Sequence, residues 1–359
     1  MSRNRADDVP GSRLPEQGCR LREQAPLQAL NTFGVPARAE LLAQVDTAQA
    51  LQALLAAPWA GGLPLLVLGE GSNLLLVDDV PGLVVRLETQ GIQVIEQDGA
   101  RVRLLAEAGE RWDDLVRWSV ARDLHGLENM ALIPGTVGAC PIQNIGAYGA
   151  EVGQWIAWIE AWDLQSHSLR RLQAHECGFG YRDSRFRREQ GQWIILRVAF
   201  DLQREAALQI DYAGVRDELR SLGAGPARPL HVAEAISRIR ARKLPLPALL
   251  GNAGSFFKNP EVTAAQAAAL AAKHPQMPHW PAGSGRRKLS AGWLIEQAGW
   301  RGYRDGDAGV AEQHALVLVN HGGASGAQIL ALARRIAASI SERFGVELEP
   351  EPRLVGARW

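Results

Sequence analysis

The chain has 359 residues, 47% of them hydrophobic and 22% charged, with a formal net charge of zero. A single core rarely grows past about 250–300 residues, so two or more soluble globular domains are expected, and the neutral balance supplies no global field for nucleic acid or an anionic membrane surface. No uninterrupted apolar run reaches the ~20 residues of a membrane span, and the three scattered cysteines, Cys19, Cys140 and Cys177, argue against a disulfide framework or a zinc site and for a reducing, cytoplasmic setting.

Residues 1–26 are polar and broken by Pro10, Gly11 and Pro15, and read as a loose extension. Asp46 or Thr47 is placed to cap a helix that carries Leu51, Leu54 and Leu55 on one face. LLVLGEG reads as a buried strand running into a glycine turn, and 83–87, 92–96 and 102–105 read as short strands. Trp112, Leu115, Val116 and Leu124 fit one helical face. The glycine-dense stretch 131–153 fits neither a helix nor a strand. Strands are expected again at 156–162 and 193–200, then a helix with Val232, Ala235, Ile236 and Ile239 that ends before Pro245. Pro245 and Pro247 mark 244–250 as a linker and a domain boundary. Beyond it, Ser290 caps a helix with Trp293 and Leu294, and 315–320 is a strand. Residues 325–344 form a helix with Ile329, Leu332, Ile336 and Ile340 inward, stopped by Gly345. Strands and helices alternate unevenly, which points to a mixed α+β architecture of at least two domains.

Four stretches could carry chemistry. LVLGEGSN sets Gly69 and Gly71 around Glu70 after a strand, and such a turn is either a cradle for a phosphate or a plain tight turn. The dinucleotide fingerprint needs a third glycine and a helix directly behind it, and here LLLV follows. LIPGTVGACPIQNIGAYG is either a structural loop or a surface for a flat, extended ligand, with Gln143 and Asn144 able to read the polar edge of a ring. In FGYRDSRF, Arg182 sits between Tyr181 and Asp183 and is either a clamp for a carboxylate or phosphate or one half of a surface ion pair. In GNAGSFFKNP, Ser255 lacks the G-x-S-x-G elbow of a triad nucleophile. It is left as a backbone-bridging residue or as a proton donor near cations such as Lys243 and Lys258.

In order and wording these stretches resemble the MurB family of UDP-N-acetylenolpyruvoylglucosamine reductases. The resemblance runs from NTFGV at Asn31 through LGEGSN, GLENMALIPGTVGACPIQNIGAYG, ECGFGYRDSRF, KLP, GNAGSFFKNP and AGWLIEQAG to LEPEPRLVG, roughly residues 27–356. It implies an α+β protein. Residues 27–244 would form an FAD-binding region of the vanillyl-alcohol-oxidase (PCMH) type in two subdomains, and 245–345 an α+β substrate-binding domain. Residues 346–359 would be a tail returning to the active site. FAD, held non-covalently, would lie against Leu68, Gly69, Glu70, Gly71, Ser72 and Asn73. It would also lie against Pro134, Gly135, Thr136, Gly138, Ala139, Gln143, Asn144, Gly146, Ala147, Tyr148 and Gly149.

The resemblance further implies NADPH as hydride donor, a sugar-nucleotide substrate and a monomer with no nucleic-acid or membrane partner. Ser255 matches the proton donor, Arg182 the arginine that holds the substrate carboxylate, and Glu351 its acidic partner. Tyr212 matches the tyrosine of a loop that closes on the uridine diphosphate. Lys243, Asn259 and Lys288 match residues near the diphosphate or uracil, and Tyr181 is a further ligand contact. The competing readings are an oxygen-using oxidase of the same flavin superfamily and a non-catalytic sugar-nucleotide binding protein. Two departures stand out: DAGVAEQ at 307–313 differs from a histidine-bearing version, and the first 26 residues have no counterpart.

Overall fold

The computed structural model describes residues 17–223 and 225–359. The chain divides into two compact units. The first takes the chain through Ala25, Ala39–Glu70 and Pro81–Arg240, and the second takes Pro26–Arg38, Gly71–Val80 and Ala241–Trp359. The sequence reading kept 27–244 together, whereas 26–38 and 71–80 belong with the second unit. The reason is strand pairing and side-chain bonding at long range. Leu74–Leu76 runs parallel to Arg353–Val355, with Leu74 opposite Arg353, and Asn320 Nδ2 donates to the Phe33 carbonyl at 2.9 Å.

Among the described residues the first unit holds two larger sheets and the short hairpin Gly146–Ala147 with Ala150–Glu151. One sheet orders Cys19–Pro26, Arg38–Val45, Val80–Leu87 and Leu65–Leu68, with the last two strands parallel. Cys19–Pro26 corrects the reading of 1–26 as a loose extension, since sheet pairing orders its backbone despite a polar sequence; residues 1–16 lie outside the described residues. The strand Leu65–Leu68 buries Leu66 and Leu68 and leaves Leu65 and Val67 partly covered, so it is one-sided rather than fully buried. Thr47 caps the helix Ala48–Ala56 by accepting the Ala50 amide at 3.1 Å, and the helix turns Leu51 and Leu54 into the core.

The second sheet orders Ser168–Gln173, Ile156–Asp163, Trp193–Gln203, Arg101–Glu107 and Ile92–Asp98, all antiparallel. Ile92–Asp98 is its exposed edge. On one face the strands bury Val102, Leu104, Ile159, Val198 and Phe200 against Trp112, Leu115 and Val116 of the helix Trp112–Val120 and against Val232, Ala235, Ile236 and Ile239 of the helix Pro229–Lys243. Leu124 was expected on the first of these helices. The helix stops at Val120 and Asp123 takes φ +55°, so Leu124 reaches the same core from beyond the helix end.

In the second unit the helix Gly326–Phe344 carries Ile329, Leu332, Ile336 and Ile340 inward. A reciprocal Ser325–Gln328 capping box starts it and left-handed Gly345 ends it. Ser290 caps Ala291–Gln297 through the Trp293 amide. The strand expected at 315–320 begins only at Leu318, because Val317 N–H turns back to the His314 carbonyl. Among the described residues no helix is long and apolar enough to cross a membrane.

Candidate functional site

The glycine turn after Leu68 leads into the strand Leu74–Leu76 and not into a helix. A strand–turn–helix phosphate site is thus absent, as the residue pattern predicted. Both glycines are required by close approach. A Cβ on Gly69 would lie 2.7 Å from Thr136 Oγ1, and Gly71 combines φ +65° with a position where a Cβ would meet the Leu30 carbonyl oxygen at 2.2 Å. Leu68 is buried. Ser72 and Asn73 are half-buried, and the Asn73 carbonyl accepts the Arg353 amide at 3.0 Å, which ties the tail to this turn.

Glu70 Oε2 accepts the Gly135 amide at 2.8 Å and its Oε1 accepts Arg111 Nε at 2.9 Å. The side chain is a strut between the two glycine-rich stretches. Other amides there are also committed. Gly138 N–H donates to the Ala108 carbonyl, Ala139 N–H to Thr136, and the Gly135 carbonyl accepts Trp112 N–H. Pro134 to Ala139 therefore form a braced turn around buried Thr136.

Asn144 was expected to read a ligand edge. It is buried, with φ +43°, and its amide is spent inside the protein. Nδ2 donates to Glu151 and to the Gly180 carbonyl at 2.8 and 3.0 Å, and Oδ1 accepts the Gly153 amide at 2.8 Å. Its role is to brace the 180–183 turn. Gln143 is half-buried beside it, and Gly146–Ala147 pairs with Ala150–Glu151 in a two-residue hairpin through Tyr148 and Gly149.

Arg182 sits at φ +51°, a left-handed conformation that costs a non-glycine residue roughly 1 kcal/mol. The Gly180–Asp183 bridge imposes it, and Ser184 locks the turn by donating to the Ile142 carbonyl at 2.7 Å. So held, Arg182 Nη2 donates to the Gly146 carbonyl at 2.8 Å and the guanidinium lies 5.5 Å from the Tyr181 ring. Tyr181 itself is exposed. Tyr148, at φ +49°, sets its ring edge-to-face against exposed Tyr212 at 5.1 Å. Buried Asn129 joins the two loops by donating to the Tyr148 and Gln209 carbonyls at 3.0 and 2.8 Å.

Two residues of this unit escaped the sequence reading, Asn129 and Arg240. Burial pulls the Arg240 guanidinium below its ordinary pKa; Tyr148 and Asp113 oppose the shift, and nearby Arg182 adds to it. Burial likewise pushes the Tyr148 phenol up. Arg240 Nε is buried without a protein hydrogen-bond partner. A buried donor of this kind is satisfied by water or by an acceptor on a bound group. Beside the glycine-rich turns, it makes the residues present compatible with an electron-rich cofactor such as a flavin. The signal was available: Arg240 stands four residues after Ile236, on the buried stripe of its helix, where a charge needs a reason.

In the second unit Ser255 lies on an extended segment. It bridges to Val317, and Phe256 N–H donates to the Leu316 carbonyl at 2.8 Å. On the other side Phe257 bridges to Pro350, Glu351 N–H donates to the Phe256 carbonyl at 2.8 Å, and Lys258 N–H donates to the Glu349 carbonyl at 3.0 Å. The structure therefore brings the extended segments that carry Ser255 and Glu351 side by side. Asn252, buried, braces the approach by donating to the Pro245 and Leu250 carbonyls and accepting Gly254 N–H. Asn259 Oδ1 accepts the Ala291 amide at 3.0 Å, and Lys288 Nζ lies 3.9 Å from Glu261 Oε1. Lys243 stands near His314. Burial first, and the Lys243 charge second, hold that imidazole below its ordinary pKa. Ser255, Glu351, Asn259, Lys288 and Lys243 thus share one unit, and Arg182, Tyr181 and Tyr212 belong to the other.

Comparison with known proteins gives concordant results. Residues 245–355 match a family model described as UDP-N-acetylenolpyruvoylglucosamine reductase, C-terminal domain, and residues 39–169 match an FAD binding domain. The chain is 54% identical over 343 residues to the UDP-N-acetylenolpyruvoylglucosamine reductase of Xanthomonas euvesicatoria pv. vesicatoria (strain 85-10), covering 95% of this chain and 98% of that one. It is 53% identical over 345 residues to the reductase of the same name from Xanthomonas axonopodis pv. citri (strain 306), covering 96% and 99%. Among solved structures it is similar to the UDP-N-acetylenolpyruvylglucosamine reductase (MurB) of Thermus caldophilus, with a TM-score of 0.67 and 26% identity over 94% of this chain and 99% of that one.

Proposed function

The chain belongs to the UDP-N-acetylenolpyruvoylglucosamine reductase family, and on that footing we propose that it reduces the enolpyruvyl ether of UDP-N-acetylglucosamine to the D-lactyl ether of UDP-N-acetylmuramate, with NADPH as the source of the hydride. Bound FAD would supply the redox chemistry, relaying the hydride from NADPH to C3 of the enolpyruvyl group. The remaining tasks fall to the chain's own residues. Negative charge develops toward C2 and the carboxylate, and a preorganised cation stabilises it without reorganisation at the moment of reaction. Arg182, held rigid by its turn and by Gly146, is assigned that carboxylate. The planar guanidinium fork matches a carboxylate in a way that a lysine does not.

Ser255 Oγ–H is assigned the proton that C2 receives. One hydride and one proton add across the double bond, and the serine is reprotonated from solvent before the next turnover. Glu351 is assigned the role of acidic partner to the arginine. Lys243, Asn259 and Lys288 bind the diphosphate and uracil end, and Tyr212 covers the diphosphate. The observation that supports the reading is the backbone bonding of 256–258 with 349–351, which brings the segment that carries Ser255 alongside the segment that carries Glu351. A serine outside a G-x-S-x-G elbow suits donation of one proton better than attack on a carbonyl.

The test is anaerobic stopped-flow absorbance on FAD-loaded protein. NADPH alone is expected to bleach the flavin, and the enolpyruvyl sugar nucleotide added afterwards to restore its colour. Restoration by oxygen but not by the enolpyruvyl sugar would favour the oxidase reading.

A further inference from the structure

Trp359 lies beyond residues 245–355, the span of the family's C-terminal domain, and none of the roles above uses it. It is nevertheless anchored at three points. Its indole Nε1–H donates to the Leu348 carbonyl at 3.1 Å, its ring meets Phe257 edge-to-face at 5.9 Å, and the residue before it is pinned by Arg334, whose Nη2 donates to the Arg358 carbonyl at 2.6 Å. Phe257 and Phe256 are fully buried and pack on each other at 5.1 Å, and Phe256 continues the aromatic run to Phe33 at 6.3 Å. Ser255 is the next residue in the chain, and Glu351 N–H is hydrogen-bonded to Phe256.

Trp359 therefore touches both of the paired segments that carry Ser255 and Glu351. Its ring leans on the serine segment through Phe257, and its N–H holds the glutamate segment through Leu348. The residue itself is 44% exposed, so its contacts with Leu348 and Phe257 lie at the edge of the aromatic run. We propose that Trp359 is a positioning residue that clamps the Ser255 segment to the Glu351 segment and so keeps the proton donor in register for the reduction of the enolpyruvyl substrate. This rests on the roles given to Ser255 and Glu351 above. A displacement of about 1 Å at a reacting group can cost on the order of 10²-fold in rate, so a clamp one residue layer away is expected to matter to the chemistry more than to binding.

The experiment compares FAD-loaded full-length protein carrying Trp359→Ala or Trp359→Phe with the unsubstituted chain, each half-reaction followed anaerobically. For Trp359→Ala, flavin reduction by NADPH is expected within about twofold of normal, while reoxidation by the enolpyruvyl sugar nucleotide slows about tenfold or more, in kcat rather than KM. Trp359→Phe keeps the ring contact and loses only the indole bond, so it is expected to recover most of the rate. If Trp359→Ala yields no FAD-loaded protein, Trp359→Leu is read in the same way. Unchanged reoxidation, equal slowing of both half-reactions, or a loss confined to KM overturns the clamp. Ser255→Ala, run alongside, separates the two levels. Normal reoxidation in that variant removes the role of the serine, whereas slow reoxidation there beside a normal Trp359→Ala removes the role of the tryptophan alone.

Discussion

Glu70 accepts the Gly135 amide at 2.8 Å, and so one carboxylate joins two glycine-rich stretches that lie 65 residues apart in the chain. Its other oxygen holds Arg111. A charged acceptor of this kind is worth about 1.5–3 kcal/mol. Glu70→Ala frees the Gly135 amide and releases the turn, and is expected to weaken FAD retention by about tenfold or more. Glu70→Gln, which can still accept that amide, is expected to lie closer to normal. Titration of flavin fluorescence on FAD-stripped protein reads both; tight FAD binding in the alanine variant removes the strut from the cofactor site.

Removal of the Ser255 hydroxyl separates the half-reactions. General acid catalysis contributes about 10²–10⁴-fold, so Ser255→Ala is expected to slow substrate-driven flavin reoxidation by that order while NADPH-driven reduction stays nearly intact. Equal slowing of the two would show that the serine supports the fold or the cofactor instead.

Arg182→Lys keeps the charge but loses the fork and the donor to Gly146. The proposed role makes it far from conservative, with kcat expected to fall about 10²-fold or more. The left-handed turn is retained, so thermal melting is expected to change little. Near-normal turnover would take Arg182 out of the reaction.

Asn144→Ala removes one buried amide with three partners and puts alanine at φ +43°. The expected loss is about 2–4 kcal/mol, from orphaned polar groups and backbone strain. Tryptophan-fluorescence unfolding measures it. A variant as stable as the unsubstituted chain would mean that water replaces the amide.

His314 predicts an acid-side instability. Its pKa is depressed, by burial and then by Lys243 and Arg301, with Glu296 opposing. Below its ordinary value of about 6.5 the unfolded chain takes up a proton that the folded chain resists, so stability is full above that pH and falls as pH drops toward the folded value. His314→Asn can still accept the Leu316 amide without titrating. It is expected to flatten the decline in melting temperature between about pH 7 and pH 5. An identical decline in both proteins would assign the effect to other groups.

The local elements were legible where a short-range rule decides them. Thr47, Ser290 and Ser325 cap the helices that follow, Gly345 stops the last long one, and the run after Gly71 is a strand. Cys19–Pro26 was not legible, because a polar edge strand owes its order to a neighbour far along the chain. The candidate site was legible as motifs but not as contacts. Residue types and their order singled out Glu70 and Asn144, yet only folding revealed that their polar atoms are spent on Gly135, Arg111, Glu151, Gly153 and Gly180. Arg240 and Trp359 lie outside every quoted motif, and Asn129, though inside GLENMALIPG, drew no role from it. By itself, then, the sequence determined the chemistry available, the family and the α+β character, since these depend on residue identity, spacing and capping. The tertiary structure alone decided which polar groups are already satisfied and which face outward, because hydrogen-bond partners are set by proximity in space across tens to hundreds of residues.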